Sequence, residues 1–225
     1  MGRPLTLVVF DVDGTLIDSQ AHILTAMAAG FAAAGLAMPP APMVLSIVGL
    51  SLPVAVARLV PDLDVARQDR IVEGYKASFA SQRANDAAPL YPGARDALAR
   101  LSARDDVLLG VATGKSRRGL TKVLGAHDLE GLFVTVQTAD DHPSKPHPAM
   151  VHAALDETGV PADRAVIVGD TTYDIEMGRA GGIHALGVAW GYHPAASLAA
   201  AGARAVLPEF GALERALGDI WSDWS

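Results

Sequence analysis

Four short apolar runs, each followed by a polar or glycine-containing turn and then a helical pattern, constrain the fold of this 225-residue chain most strongly. A continuously apolar run rich in β-branched residues is typical of a strand buried on both faces of a parallel sheet. Strands that alternate with helices predict βαβ units, and therefore a doubly wound α/β fold with a parallel sheet. The four runs are Leu5 to Phe10, Val107 to Ala112, Phe133 to Gln137 and Ala165 to Val168, and weaker candidate strands are His184 to Ala189 and Arg204 to Leu207.

The segment between the first and second runs breaks this alternation and contains no run typical of a buried parallel strand. Apolar residues at helical spacing from Ile23 to Ala34 predict a helix that ends near Gly35. We therefore predict an α/β core formed by residues 1–16 and 88–225, and an inserted all-helical cap domain formed by residues 17–87. In this insertion Pro39, Pro40 and Pro42 are expected to mark a turn, and shorter helices are expected around Pro53 to Val60, Val65 to Ala77 and Lys76 to Arg83.

Charge and composition limit the classes of function. The 25 acidic residues outnumber the 18 basic ones and give a net charge of −7. This balance argues against nucleic-acid binding, because phosphate backbones are bound through dense clusters of lysine and arginine. The absence of cysteine excludes a disulfide framework, a thiolate zinc site and a cysteine nucleophile. Residues 1–10 fit neither a secretory signal nor a membrane span, so we expect a cytoplasmic protein with no membrane partner.

Two pairs of aspartates follow the first and fourth predicted strands. Asp11 and Asp13 project to the same face of an extended segment, and Gly14 permits a sharp turn after them. Asp170 and Asp174 follow the fourth strand, although on their own these two could simply cap a helix and face solvent. Because the carboxyl ends of parallel strands share one edge of a sheet, the four carboxylates are expected to converge there. Such a cluster predicts a Mg²⁺ site.

The ends of the second and third strands carry groups suited to a phosphate. Thr113, Gly114 and Lys115 place a hydroxyl, a glycine and a cation just before a predicted helix. Backbone N–H groups in such a turn can hold phosphate oxygens, although a turn that merely starts the helix is the simpler alternative. Lys145 lies between the third strand and its helix, and Pro146 restricts the backbone beside it.

These segments together resemble the four ordered motifs of the haloacid dehalogenase superfamily. The helical insertion resembles that superfamily's first cap type, and Tyr91-Pro92-Gly93 resembles its phosphoglycolate phosphatase branch. Receiver-like phospho-acceptor modules carry similar groups, but their phosphorylated aspartate lies on a middle strand and they need no cap. The segments that carry the resemblance are DVDGTLIDS at 11–19, ATG at 112–114, SKPHP at 144–148 and GDTTYD at 169–174.

The resemblance implies a role for each matching residue. Asp11 would attack phosphorus and form an aspartyl-phosphate, while Asp13 would protonate the leaving alcohol and then deprotonate water. Four carboxylates carry one negative charge more than Mg²⁺ and Lys145 together neutralise, so we expect one aspartate to hold a proton. Crowding of carboxylates raises the pKa of one of them, which would help Asp13 act as an acid. Thr113, Gly114 and Lys145 would hold the phosphoryl group, and Asp11, the Asp13 carbonyl, Asp170 and, as a secondary ligand, Asp174 would hold Mg²⁺.

We therefore expect a Mg²⁺-dependent phosphatase for small phosphate monoesters, with 2-phosphoglycolate as the first candidate substrate. Its partner would be a small phosphorylated metabolite, with no nucleic acid or membrane, and the chain would be a monomer or a homodimer. Pyrophosphatase or sugar phosphomutase activity, a receiver-like phospho-acceptor and a non-catalytic binding protein are the alternatives. Candidate residues for recognising the leaving group are Ser51 in the loop Val48 to Ser51, Arg58, Lys76, Arg83, Arg117 and Arg118.

Overall fold

Six parallel strands form a single sheet in the computed structural model, which describes residues 4–85 and 87–222, without the side chains of residues 83–85. All six predicted strands are confirmed, with bounds that shift by one or two residues. The strands are β1 (Thr6–Phe10), β2 (Val107–Thr113), β3 (Thr135–Thr138), β4 (Ala165–Gly169), β5 (His184–Val188) and β6 (Ala205–Leu207). Their order is β3-β2-β1-β4-β5-β6, so β1 lies between β2 and β4.

Helices cover both faces of the sheet. Alternate residues of β1 accordingly pack into two different hydrophobic clusters, one on each face. Val8 and Phe10 pack into the cluster on one face, and Leu7 and Val9 pack into the cluster on the other. The predicted doubly wound fold is therefore confirmed. The helices are α1 (Gln20–Ala33), α2 (Ala41–Leu45), α3 (Leu52–Leu59), α4 (Val65–Asn85), α5 (Ala94–Ser102), α6 (Arg117–Ala126), α7 (Ala149–Thr158), α8 (Thr172–Ala180), α9 (Ala195–Ala201) and α10 (Leu213–Ser222).

Helices α1 to α4 form the insertion and have a hydrophobic cluster of their own. Helices α1 and α4 cross closely: a Cβ on Gly30 would lie 2.5 Å from the carbonyl oxygen of Ile71, so only glycine fits. This cluster explains why the insertion folds as a helical unit, while its boundaries at residues 17 and 87 stay a prediction. None of the helices in the described part of the chain combines the length and apolar character that a membrane span requires.

Two expectations for the insertion are wrong. The proline-rich segment contains the short helix α2, because Pro42 lies in its first turn, where a missing N–H costs no hydrogen bond. The two patterns around residues 65–77 and 76–83 form the single helix α4.

The two chain segments that join the insertion to the core lie side by side. Ile17 forms isolated β-bridges with Asp13 on one side and with Leu90 on the other. The N–H of Asp18 donates to the carbonyl of Pro89 at 2.8 Å, next to these bridges. Both connections are therefore hydrogen-bonded to each other and to the turn that carries Asp13.

Candidate active site

The predicted site residues converge at the carboxyl edge of the sheet. Asp11 directly follows β1, Thr113 ends β2 and Asp170 directly follows β4, and these three strands are neighbours. Lys145 reaches the same place from the loop between β3 and α7. The parallel strand order thus brings together residues that are more than 100 positions apart, such as Lys145 and Asp11.

Lys145 lies between two carboxylates in the interior. Its Nζ donates to Asp11 Oδ1 at 2.7 Å and to Asp174 Oδ1 at 2.6 Å, and its side chain is fully buried. Burial alone opposes the charge of this ammonium, but the two carboxylates outweigh burial and raise the pKa of Lys145. Lys145 therefore remains a cation and fixes the orientation of Asp11.

Asp174 is held by the first turn of α8. Its Oδ2 accepts hydrogen bonds from the backbone N–H of Thr171 at 3.0 Å and from its hydroxyl at 2.7 Å. Thr171 is the N-cap of this helix, in a capping box with Asp174. Asp174 is fully buried, so the alternative of a solvated carboxylate is wrong, and Thr171 rather than Asp170 caps the helix.

Asp170 occupies a cradle formed by two segments. Thr15 donates its hydroxyl to Oδ1 at 2.9 Å, and the backbone N–H of Tyr192 donates to Oδ2 at 2.9 Å. A Cβ on Gly14 or on Gly191 would overlap the Asp170 carboxyl group, so both close approaches require glycine. Sequence reasoning missed Thr15 and Tyr192. The position of Thr15 in the first motif was a sequence signal that could have identified it. The backbone N–H of Tyr192 has no sequence signal, because nearly every residue type carries a backbone N–H.

Three buried carboxylates form a group that fits a divalent cation. Asp11, Asp170 and Asp174 each offer an oxygen within 4.8 Å of the others. Oδ2 of Asp11 is buried and has no hydrogen-bond partner among the described residues. Burial raises the pKa of Asp11 to about 7, against the opposing charge of Lys145. Burial, followed by the charges of Asp11 and Asp174, raises the pKa of Asp170 well above its usual range. A hard cation bound by oxygen would relieve this crowding, so the group fits Mg²⁺.

Asp13 lies outside this group and is paired with Lys115. Lys115 Nζ lies 2.7 Å from Oδ1 and 2.5 Å from Oδ2 of Asp13, and Ser19 donates its hydroxyl to the same carboxylate. The Ser19 oxygen is also 3.1 Å from the hydroxyl of Tyr192. This carboxylate therefore lies outside the acidic group, which leaves only the Asp13 carbonyl for the metal-ligand role that the resemblance implied.

Lys115 adds a second cation to the charge balance of the site. With two lysines and one Mg²⁺, the positive charges would equal those of four ionised carboxylates, on Asp11, Asp13, Asp170 and Asp174. The expected proton on one aspartate stays a prediction. The pKa values of Asp11 and Asp170 are both raised, chiefly by burial. Lys115 and Ser19 contact the Asp13 carboxylate directly.

Thr113 and Gly114 lie where the cap meets the core. Thr113 is buried, and its Oγ1 accepts a hydrogen bond from the backbone N–H of Lys115 at 3.2 Å. A Cβ on Gly114 would lie 2.7 Å from the carbonyl oxygens of both Gly49 and Leu50. The loop between α2 and α3 therefore covers the predicted phosphate turn directly.

The cap is closed over the site through polar contacts. The N–H of Ser51 donates to Oγ of Ser144 at 2.9 Å, next to Lys145 in the chain. The hydroxyl of Tyr173 donates to the carbonyl of Ser46 at 3.0 Å. The loop predicted to read the substrate, Val48 to Ser51, is therefore hydrogen-bonded to the core through Ser51, and the adjacent Ser46 is bonded to a second core segment.

A cavity of about 440 Å³ separates the cap from the core, and both Asp11 and Asp13 line it. Of the predicted recognition residues, Ser51, Lys76 and Arg118 line this cavity. Two others are engaged elsewhere: Arg58 lies 5.3 Å above the ring of Tyr173, and Arg117 pairs with Asp141 at 2.6 Å. The side chain of Arg83 lies outside the described residues.

Comparison with known proteins identifies the family. The chain is 33% identical to a protein named Probable phosphatase IndB from Dickeya dadantii, over 91% of this chain and 90% of that protein. It is 34% identical to a phosphoglycolate phosphatase from Rhodospirillum rubrum, over 94% of this chain and 90% of that protein. The crystal structure of a hydrolase from Pseudomonas syringae has the same fold, with a TM-score of 0.85, 24% identity, and coverage of 96% of this chain and 99% of that chain. Residues 8–188 match the sequence profile described as haloacid dehalogenase-like hydrolase, and the chain belongs to this family.

Proposed function

We propose that this haloacid dehalogenase-like hydrolase is a Mg²⁺-dependent phosphatase that cleaves small phosphate monoesters through an aspartyl-phosphate on Asp11. The observation that carries the proposal is the setting of Asp11: it lines the cavity, Lys145 holds one of its oxygens, and Asp170 and Asp174 lie beside it. We put 2-phosphoglycolate first among substrates, because the relative from Rhodospirillum rubrum is named for that activity.

Asp11 is suited to act as the nucleophile. In the first step one of its oxygens forms a bond to phosphorus, and the bond between phosphorus and the ester oxygen breaks. Lys145 keeps the Asp11 carboxylate oriented, at 2.7 Å from Oδ1. The backbone N–H of Gly114 and the hydroxyl of Thr113 border the same cavity and would bind the oxygens of the phosphoryl group.

Asp13, which also lines the cavity, is suited to move protons. It would give a proton to the departing alkoxide in the first step and take one from water in the second. The resulting hydroxide adds to phosphorus, the bond to Asp11 breaks, and inorganic phosphate leaves. Lys115 and Ser19 hold the Asp13 carboxylate in place between these two transfers.

The oxygens of Asp11, Asp170 and Asp174, with the Asp13 carbonyl, would hold Mg²⁺. When bound, the ion would neutralise the negative charge of the phosphoryl group and of the surrounding carboxylates. The closed cap supports the same chemistry, because its loop at Gly49 and Leu50 covers the phosphate turn and excludes bulk water.

Phosphate release tests this proposal. Wild type should hydrolyse 2-phosphoglycolate or another small monoester in a panel with Mg²⁺ and not with EDTA. Asp11→Asn should reduce kcat by at least about 10³-fold, because the amide is not a nucleophile. Asp128→Asn, at an exposed position with φ 53°, is the matched control and should keep full activity. Pyrophosphate belongs in the panel, because its hydrolysis would indicate the pyrophosphatase alternative. Conversion of a sugar phosphate into its isomer should also be monitored, because it would indicate the mutase alternative.

Two outcomes would contradict hydrolysis. A stable phosphoryl group on Asp11 without turnover would indicate a receiver-like phospho-acceptor, and folded protein that neither reacts nor releases phosphate would indicate a binding protein.

We further propose that the protein is cytoplasmic and that it is a monomer or a homodimer. Its partner would be a small phosphorylated metabolite, with no nucleic acid and no membrane. Cell fractionation tests its location, and light scattering after gel filtration tests its oligomeric state.

A further inference from the structure

The cap contributes an apolar wall to the active-site cavity. Ile23 and Met27 of α1 line the cavity together with Tyr75 and Phe79 of α4. The rings of Tyr75 and Phe79 are stacked, with centroids 5.3 Å apart and planes 12° from parallel. Ile47 and Leu50, from the loop that covers the phosphate turn, extend this wall. The cap therefore presents aromatic and aliphatic side chains to whatever is attached to the phosphate.

The cavity is larger than a small acidic substrate requires. Its volume is about 440 Å³. 2-Phosphoglycolate has about nine non-hydrogen atoms, which at about 30 Å³ each, the share of liquid volume of one water molecule, occupy at most about 270 Å³. The remaining space is enough for a ring, and it is bounded by the cap wall.

The cations that line the cavity are paired with carboxylates or exposed at the surface. Lys115 is engaged by both oxygens of Asp13. Lys76, the cation from the cap, is exposed and lies 3.3 Å from Glu73. Arg118 and Lys122 belong to the core helix α6 and are exposed. An apolar group that contacts the cap wall would lie beside the Lys115–Asp13 ion pair, because the Lys115 ammonium is 5.0 Å from the ring centroid of Phe79.

We propose that Tyr75 and Phe79 form an apolar subsite that binds a ring-sized, apolar part of the leaving group. The kinetic test of this inference rests on the proposed phosphatase function, whereas binding to the subsite can be measured without turnover. Flat aromatic pairs favour stacking with a planar ring, and burial of apolar surface supplies the free energy. The subsite would extend the substrates beyond 2-phosphoglycolate to phosphate monoesters of alcohols that carry an apolar ring.

Two esters with similar leaving alcohols isolate this contribution. Benzyl phosphate and ethyl phosphate differ mainly in the ring, so their ratio of kcat/KM reports its binding in the transition state. We expect benzyl phosphate to be favoured by about 10- to 100-fold, the range for burying one aromatic side chain. Phe79→Ala should lower this ratio at least about threefold. Val65→Ala, at the exposed start of the same helix, is the matched control and should leave the ratio unchanged.

A binding measurement separates this inference from the proposed function. Benzylphosphonate and ethylphosphonate cannot be hydrolysed, and their dissociation constants for wild type with Mg²⁺ can be measured by calorimetry. Tighter binding of benzylphosphonate, by tenfold or more and reduced by Phe79→Ala, supports the subsite even if no ester is turned over. Equal binding of the two phosphonates, or equal kcat/KM for the two esters in an active enzyme, overturns it and leaves the phosphatase proposal intact.

Discussion

The ammonium of Lys115 lies 2.7 Å and 2.5 Å from the two carboxylate oxygens of Asp13, a residue 102 positions earlier in the chain. The side chains of Lys115 and Asp13 are only 7% and 13% exposed, so water screens the pair weakly. Lys115 also lies 5.0 Å from the ring centroid of Phe79 in the cap. The proposed acid and base of the reaction is therefore linked to the cap through one lysine.

Removal of this cation should impair catalysis more than folding. Lys115→Met keeps the length of the side chain but leaves the Asp13 carboxylate without its ammonium partner. We expect kcat to fall by about 10- to 100-fold, as for a misplaced general acid or base, and Lys115→Arg to restore part of the loss. Steady-state kinetics measures the effect, with thermal unfolding as the check on folding. Unchanged kcat in Lys115→Met would show that the pair does not serve the chemistry.

The hydroxyl of Thr15 should set the affinity for the metal. It donates to Asp170 Oδ1 at 2.9 Å, so Thr15→Val removes a hydrogen bond that orients a proposed ligand without changing its charge. We expect the dissociation constant for Mg²⁺ to rise about tenfold, the lower end for loss of such an orienting group. Thr121→Val, whose hydroxyl bonds only within α6, is the control. Calorimetric titration with Mg²⁺ compares the two variants, and equal affinities would contradict the proposed role.

A methyl group at Gly114 should hinder closure of the cap. It would lie 2.7 Å from the carbonyl oxygens of Gly49 and Leu50, and backbone atoms cannot yield as a flexible side chain can. We expect Gly114→Ala to lower kcat/KM by at least about tenfold, because a displacement near 1 Å at a reacting site has effects of this size or larger. Gly218→Ala in α10, where nothing lies within 4 Å of the new Cβ, should leave the kinetics unchanged.

Magnesium should stabilise the fold more at pH 8 than at pH 5.5. The pKa of Asp11 is raised from its usual 3.8 to about 7, so the metal-free folded chain keeps a proton there that the unfolded chain loses. The contribution of this proton on Asp11 to the free energy of unfolding is fully present below pH 3.8 and is lost as the pH rises through about 7. The ion competes with that proton, and at 100 times its dissociation constant it adds about 2.7 kcal/mol.

Thermal unfolding with and without Mg²⁺ at the two pH values tests this expectation. NaCl at the same ionic strength controls for screening of surface charges. Asp170→Asn should abolish most of the shift, since it removes a charged ligand from the acidic group. Equal shifts of Tm at pH 5.5 and pH 8 would contradict competition between the ion and the proton.

The strands and the main site residues could be predicted because each signal is local. Asp11, Thr113 and Asp170 each follow a continuously apolar run, and the ends of parallel strands share an edge. The details within the site depend on contacts between distant segments. Thr15 bonds a residue 155 positions away, and Tyr192 contributes a backbone N–H that any residue type would supply.

The missed helix in the insertion and the missed partner of Asp13 have different causes. Proline is tolerated in the first turn of a helix, so Pro42 gave no firm signal for a turn, and α2 was missed. Lys115 was recognised as a cation near the phosphate turn, but its pairing with Asp13 depends on the adjacency of β1 and β2. The charge balance from the sequence therefore counted Lys145 and omitted Lys115.

The two chain segments that join the cap to the core are bridged to each other at Ile17 and Leu90 and can act as a hinge. Because these segments are bonded to each other, rotation of the cap about one axis should deform them less than twisting or sliding would. The N–H of Gly14 donates to the carbonyl of Ile17 at 3.0 Å, which ties that axis to the turn just after Asp13. A swing of the cap would therefore displace the segment that positions Asp13, so the position of this carboxylate should change together with that of the cap.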